Sequence, residues 1–154
     1  MTKSKETSIS FSHQERVNAP VEEAFAFGLD PDNWTRHFPG VSEYEILEEN
    51  DDDMRLRIPY RLLWFNIVFE IELRVVDPDS HIAVEAESEW MLSEGHYYYT
   101  EIEEGTLIEA KGEYRFGDSI LARLLEPLLS VAQERKIKKA MQKEKKLIEA
   151  ESND

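Results

Sequence analysis

The chain has 154 residues and no cysteine, which excludes disulfides, thiolate chemistry and cysteine-containing zinc sites, while its size suits one domain with a core that needs no metal support. Its 33 acidic against 18 basic residues give a net charge of −15, a surface that repels phosphate backbones and argues against nucleic acid as a partner. Residues 1–117 hold 26 of the acids and 10 of the bases, a distribution that suits a salt-loving host such as a halophilic archaeon as well as an ordinary acidic protein, because salt screens the self-repulsion.

Met1–Ser10 is polar and has no stretch like a signal peptide, so a cytoplasmic protein is expected, with a flexible segment over 1–8 ahead of a single domain over 9–150 and a flexible tail over 151–154. Ile9, Phe11, His13, Glu15 and Val17 share one parity, which predicts a first strand with a partly apolar face. Pro20 then suits the first position of a helix and Glu22 and Glu23 favour its positive end, so a short helix is expected from Pro20 to Leu29. Asp30-Pro31 repeats the start signal for a second short helix carrying Trp34 and Phe38, which Pro39 and Gly40 end.

Six more strands are predicted near 41–49, 53–60, 64–77, 81–91, 95–103 and 106–116, separated by turn-forming residues at Asn50–Asp53, Asp77–Ser80, Ser93–Gly95 and Glu103–Gly105. The clearest alternation is Phe65, Ile67, Phe69, Ile71, Leu73 and Val75 against Asn66, Glu70, Glu72 and Arg74, one face buried and the other wet. Those polar residues also make the region from Leu62 to Val76 a strand and not a membrane span. Ile82, Val84 and Ala86, and again Ile108, Ala110, Gly112 and Tyr114, continue the same phase, so consecutive strands share one apolar concave face. Gly112 in mid-strand marks a bend or a close approach. Asp118 can cap a long final helix rich in leucine that covers the sheet, and Pro127 inside it predicts a kink or a restart.

The segment Asn18-Ala19-Pro20-Val21-Glu22-Glu23-Ala24-Phe25, then Asp30-Pro31 with Trp34, then Phe38-Pro39-Gly40-Val41, and Glu104-Gly105-Thr106 before the last strand and the leucine-rich helix, resemble the helix-grip superfamily known as START-like or SRPBCC, including polyketide cyclase/dehydrase and lipid-transport proteins. The resemblance implies an α+β fold, a curved seven-stranded antiparallel sheet wrapped around a long C-terminal helix, with a cavity between them for a lipid, quinone or polyketide. These motifs describe how turns and helices begin, so they carry fold and hardly any chemistry.

The expected cavity lies between the inner strand face and the first half of the last helix, bounded by Ile58, Tyr60, Phe69, Ile71, Trp90, His96, Tyr98, Tyr114, Leu121, Leu125 and Leu128. Of the run Tyr97–Tyr99, Tyr98 is placed inward, with His96 on the same parity as a titratable group at the cavity. The functional expectation is binding or transport of an apolar small molecule, without a cofactor or metal. A cyclase or dehydratase-like enzyme using His96, Tyr98 and His13 for proton transfer is the alternative, and a protein-interaction module a third. The basic stretch from Arg135 to Lys146 could touch an anionic membrane or an acidic partner, although Glu134, Glu144 and Glu149 can pair with it as an ordinary solvated helix face. No histidine pair has zinc-helix spacing, Asp51–Asp53 lacks the EF-hand pattern, and no phosphate loop, nucleophile elbow or dinucleotide fingerprint occurs.

Overall fold

The computed structural model describes residues 8–62, 64–89, 91–117 and 120–152. Strand β1 (Ile9–Val17) is followed by helices α1 (Val21–Leu29) and α2 (Pro31–His37), then by strands β2 (Glu45–Glu49), β3 (Asp53–Leu62), β4 (Phe65–Asp77), β5 (His81–Glu87), β6 (Met91–Ile102) and β7 (Gly105–Phe116), and finally by α3 (Ile120–Ser152). The seven strands form one antiparallel sheet in the order β1-β7-β6-β5-β4-β3-β2. This is the helix-grip architecture that the resemblance implies, with one correction: β6 begins at Met91, so Ser93–Gly95, expected as a turn, lies inside that strand and pairs with Val84–Ala86 of β5.

The local signals act as expected at the start of α2, whereas Pro20, expected as the first residue of α1, has extended backbone and caps a helix that begins at Val21. The Asp30 side chain accepts a hydrogen bond from the Asp32 N–H at 3.0 Å, and Pro31 occupies the first helical position of α2. α3 runs through Pro127 without a restart. Asp118, expected to cap it, lies outside the described residues.

Directly opposed residues of antiparallel strands share a face, and the register fixes which face is inside. Ile82 faces Tyr97 and Val84 faces Gly95, while Tyr97 in turn faces Ala110 and Tyr99 faces Ile108. Gly112 pairs with Gly95 on one side and Phe11 on the other, and a Cβ added to it would lie 2.8 Å from the Phe11 ring and overlap the Glu94 carbonyl oxygen. The close approach expected at Gly112 is thus an aromatic ring laid over paired glycines.

The buried residues fall into clusters along the concave face. One joins Val17, Phe25, Leu73, Ile82, Tyr99 and Ile108 to Ile137, Met141 and Ile148 of α3. A second joins Tyr60, Ile67, Phe69, Met91 and Tyr114 to Leu129, and a third comprises Met54, Leu56 and Ile58 under Trp34 and Val41. No helix among the described residues is long and apolar enough to cross a membrane.

Candidate functional site: a cavity between the sheet and the last helix

Between these clusters lies a cavity of about 170 Å³. The sheet supplies Ile58 and Tyr60 from β3, Phe69, Ile71 and Leu73 from β4, Ile82, Val84 and Ala86 from β5, and Met91, Gly95, Tyr97 and Tyr99 from β6. Helix α1 contributes Gly28, and α2 with the loop after it contributes Trp34, His37, Phe38 and Val41. Gln133, Ile137, Ala140, Met141 and Glu144 close it from α3. Their spacing of i, i+4, i+7, i+8 and i+11 puts them on one helix face.

Polar groups enter this apolar wall at defined places. The Tyr60 hydroxyl donates to Gln133 Oε1 at 3.0 Å, and burial raises its pKa far above the ordinary phenol range. Trp34 Nε1–H donates to the Gly28 carbonyl at 2.9 Å, tying α2 back onto α1. Lys136 Nζ donates to the Pro39 carbonyl at 3.0 Å and to the Arg61 carbonyl at 2.5 Å, and it stands 4.8 Å from the centre of the Tyr60 ring. Burial lowers its pKa. Lys136 is therefore a clip that fixes the loop after α2 to the end of β3, and not part of a free basic face.

Gly28 makes room for the Tyr99 hydroxyl: a Cβ at position 28 would overlap that oxygen and stand 3.7 Å from Glu144 Oε2. Phe25 meets the Tyr99 ring edge-on with centroids 5.3 Å apart and holds it in place. Glu144 is only 5% exposed. Burial pushes its carboxyl up to about 8, so it is protonated at neutral pH. It also helps to raise the Tyr97 and Tyr99 phenols, second to burial in both cases. His37, by contrast, is driven down to about 4, chiefly by burial and further by Arg36 and Lys143, so its ring is neutral.

Ile58, Tyr60, Phe69 and Ile71 lie in the cavity wall. Tyr98 and His96 do not, because β6 has the opposite parity to the one expected: Tyr97 and Tyr99 face inward, opposite Ala110 and Ile108. On the other face His81 Nε2 and His96 Nδ1 are 2.9 Å apart, and Tyr98 stacks on His81 with centroids 4.4 Å apart. His13 is on the concave side of β1 but pairs with Glu15 at 2.8 Å and is not in the cavity wall. His13 is therefore separated by the sheet from His96 and Tyr98, its expected partners in proton transfer.

Tyr114 is buried in the second cluster with Leu125 packed beside it, and neither lines the cavity. Leu128 is 46% exposed. Trp90 and the Leu121 side chain lie outside the described residues. The cavity consequently meets the middle of α3, from Gln133 to Glu144, and not the earlier turns that carry Leu125 and Leu128. Glu144 lies within the buried stripe that continues from Met141 to Ile148 and is no partner for the lysines around it. Lys145 instead pairs with Glu149 at 2.9 Å.

A helix-grip sheet closing on a cavity defines the class of this protein, and sequence comparison gives its family. The model of the polyketide cyclase / dehydrase and lipid transport family matches residues 8–149, and the chain belongs to that family. Among solved structures, TTHA0849 from Thermus thermophilus is similar with a TM-score of 0.80 at 16% identity, covering 95% of this chain and 99% of that one. The Zhui aromatase/cyclase from a Streptomyces species follows at a TM-score of 0.71 and 16% identity, covering 85% of this chain and 92% of that one. A START superfamily protein from Mycobacterium smegmatis has a TM-score of 0.61 at 13% identity, with 88% and 98% of the two chains covered. No curated protein matches the chain's sequence.

Proposed function

We propose that this protein binds and releases an apolar small molecule in the cavity between its sheet and α3. The observation that carries this reading is a cavity of about 170 Å³ walled mainly by aliphatic and aromatic side chains, with few polar atoms among them. An apolar cavity of about 150 Å³ is large enough to take a benzene-sized molecule, whereas sites for larger organic ligands span roughly 300–1,000 Å³. In its present shape the cavity suits one ring or a short chain segment. A lipid, quinone or polyketide-like ligand of greater bulk requires α3 to move away from the sheet, and the proline within α3 lies between its exposed first turns and the part that walls the cavity.

The reading is tested by native mass spectrometry of protein purified from its own host. A retained organic molecule, lost when Ala140→Phe fills the cavity while the fold persists, is the expected result. Protein that carries nothing, and that also shows no change in its spectra with fluorobenzene, would contradict it.

A further inference from the structure

We propose that Glu144 makes the part of the cavity beside Gly28 and Tyr99 a receptor for an organic cation, so that the ligand is a small apolar amine and not a neutral hydrocarbon, alcohol or ketone. This inference rests on the reading that the cavity takes a ligand. Glu144 is 5% exposed and lines the cavity, and no hydrogen bond or ion pair joins its carboxyl to another group among the described residues.

The cations that could neutralise it are committed elsewhere. Lys136 is held by the Pro39 and Arg61 carbonyls, Lys145 by the Arg16 carbonyl and Glu149, and Arg36 by Asn33 and Glu151. Lys143 and Lys146 are on the exposed face of α3. The titratable groups near the carboxyl are Tyr97 and Tyr99 from β6, both kept as neutral phenols by burial, and the cavity wall adds His37 from α2, whose ring is neutral. Gly28 of α1 brings no charge.

A neutral ligand oxygen needs only a donor, and the cavity wall already offers phenol and amide groups in Tyr97, Tyr99 and Gln133. What a carboxyl adds to them is the capacity for negative charge. A buried acid without a counter-charge is destabilising, and a cation bound beside it relieves that burden. Trp34, Phe38 and Tyr60 give the wall aromatic surface that also attracts an ammonium group. The net charge of −15 favours approach of cations over anions.

Protons balance as follows. Burial keeps the carboxyl protonated up to about pH 8, and an alkylamine arrives as an ammonium ion at neutral pH. When the ammonium group seats beside Glu144, the carboxyl proton passes to buffer and a carboxylate–ammonium pair remains.

The test is calorimetric titration of the full chain at neutral pH with benzylamine, benzyl alcohol and acetophenone, repeated in buffers of different ionisation enthalpy. Benzylamine should bind at least about tenfold more tightly than the other two and release close to one proton per molecule bound. In Glu144→Gln its affinity should fall at least about tenfold and the proton release should vanish. If benzyl alcohol or acetophenone binds as well as benzylamine, without proton release, the cation assignment is wrong and the apolar cavity reading survives. If none of the probes binds, both readings fail. The comparison of probes on the unaltered protein does not depend on how the variant folds.

Discussion

The two halves of α3 differ sharply in how composition relates to burial. Before and just after Pro127 the helix is rich in apolar residues yet wet: Ile120 is 78% and Leu124 73% exposed, while among the described residues Leu125, Leu129 and Ala132 reach the second core cluster. From Gln133 onward it is rich in charge yet buried along one face, where Ile137, Ala140, Met141, Glu144 and Ile148 pack against the sheet or wall the cavity. The lesson is that composition does not decide which part of an amphipathic helix is core. The sheet decides, through the side chains its register aims at the helix.

That contrast can be broken most directly by truncation. Ile148→Ala removes a side chain that is 2% exposed and should cost about 2–5 kcal/mol in urea denaturation. Leu124→Ala should stay within about 0.5 kcal/mol. Equal losses would show that both halves contribute alike.

Glu144 sharpens the comparison through pH. Its native pKa of about 8 lies above the ordinary 4.5, so between those values the native state holds a proton that the unfolded chain has given up. Stability therefore falls as pH rises through this window, and the stabilisation is fully present only below it. Glu144→Gln should gain stability by roughly 2–3 kcal/mol near pH 8 and little near pH 4. His37 has the opposite sign: its native pKa of about 4 lies below 6.5, so stability rises with pH between them. The two contributions oppose each other in the parent protein, and the variant should reveal the rising limb alone. A pH-independent effect of Glu144→Gln in parallel urea titrations would refute the buried-acid account.

Pro127→Ala restores one backbone hydrogen bond where the halves meet. It should raise stability by about 1 kcal/mol, a part of the roughly 3 kcal/mol a proline costs inside a helix, because the surrounding turns already accommodate it. If the two halves move separately, uptake and release of an apolar fluorescent probe should slow in stopped-flow traces. Unchanged kinetics would mean that the proline serves packing alone. The smallest effect concerns charge: residues 118–154 are nearly balanced, with 8 basic and 7 acidic side chains, whereas the preceding chain has 10 and 26. Raising KCl toward molar concentration should add a few tenths of a kcal/mol through screening of the sheet, and a denaturation midpoint that falls would contradict that expectation.

Most of the architecture was legible because most β4 residues have a clear side: Phe69, Ile71 and Leu73 alternate with Glu70, Glu72 and Arg74, with the exposed Val68 and Val76 as exceptions, and most turns between strands are marked by Asp, Asn, Pro and Gly, Ser93–Gly95 inside β6 being the false signal. The site was less legible for two physical reasons. In β6 aromatic residues occupy both parities, Tyr97 and Tyr99 on one and Tyr98 on the other, so alternation alone has no sign there. Pairing with β7 supplies it, since Ala110 and Ile108 were already on the inner phase and face Tyr97 and Tyr99. Glu144 is flanked by Lys143 and Lys145 and resembles a solvated ion-pair residue, but it sits three residues after Met141 and four before Ile148 on their helix face. That interruption of an apolar stripe by one acid was the available signal.

The central claim, an apolar binding cavity against the middle of α3, is tested most directly by methyl NMR of Ile137, Met141 and Ile82 during titration with fluorobenzene. These methyl groups line the cavity, and the account predicts saturable shifts there, with Ile46 at the far edge strand unmoved. Shifts confined to the exposed leucines of the first half of α3, or no saturable shift at all, would contradict it.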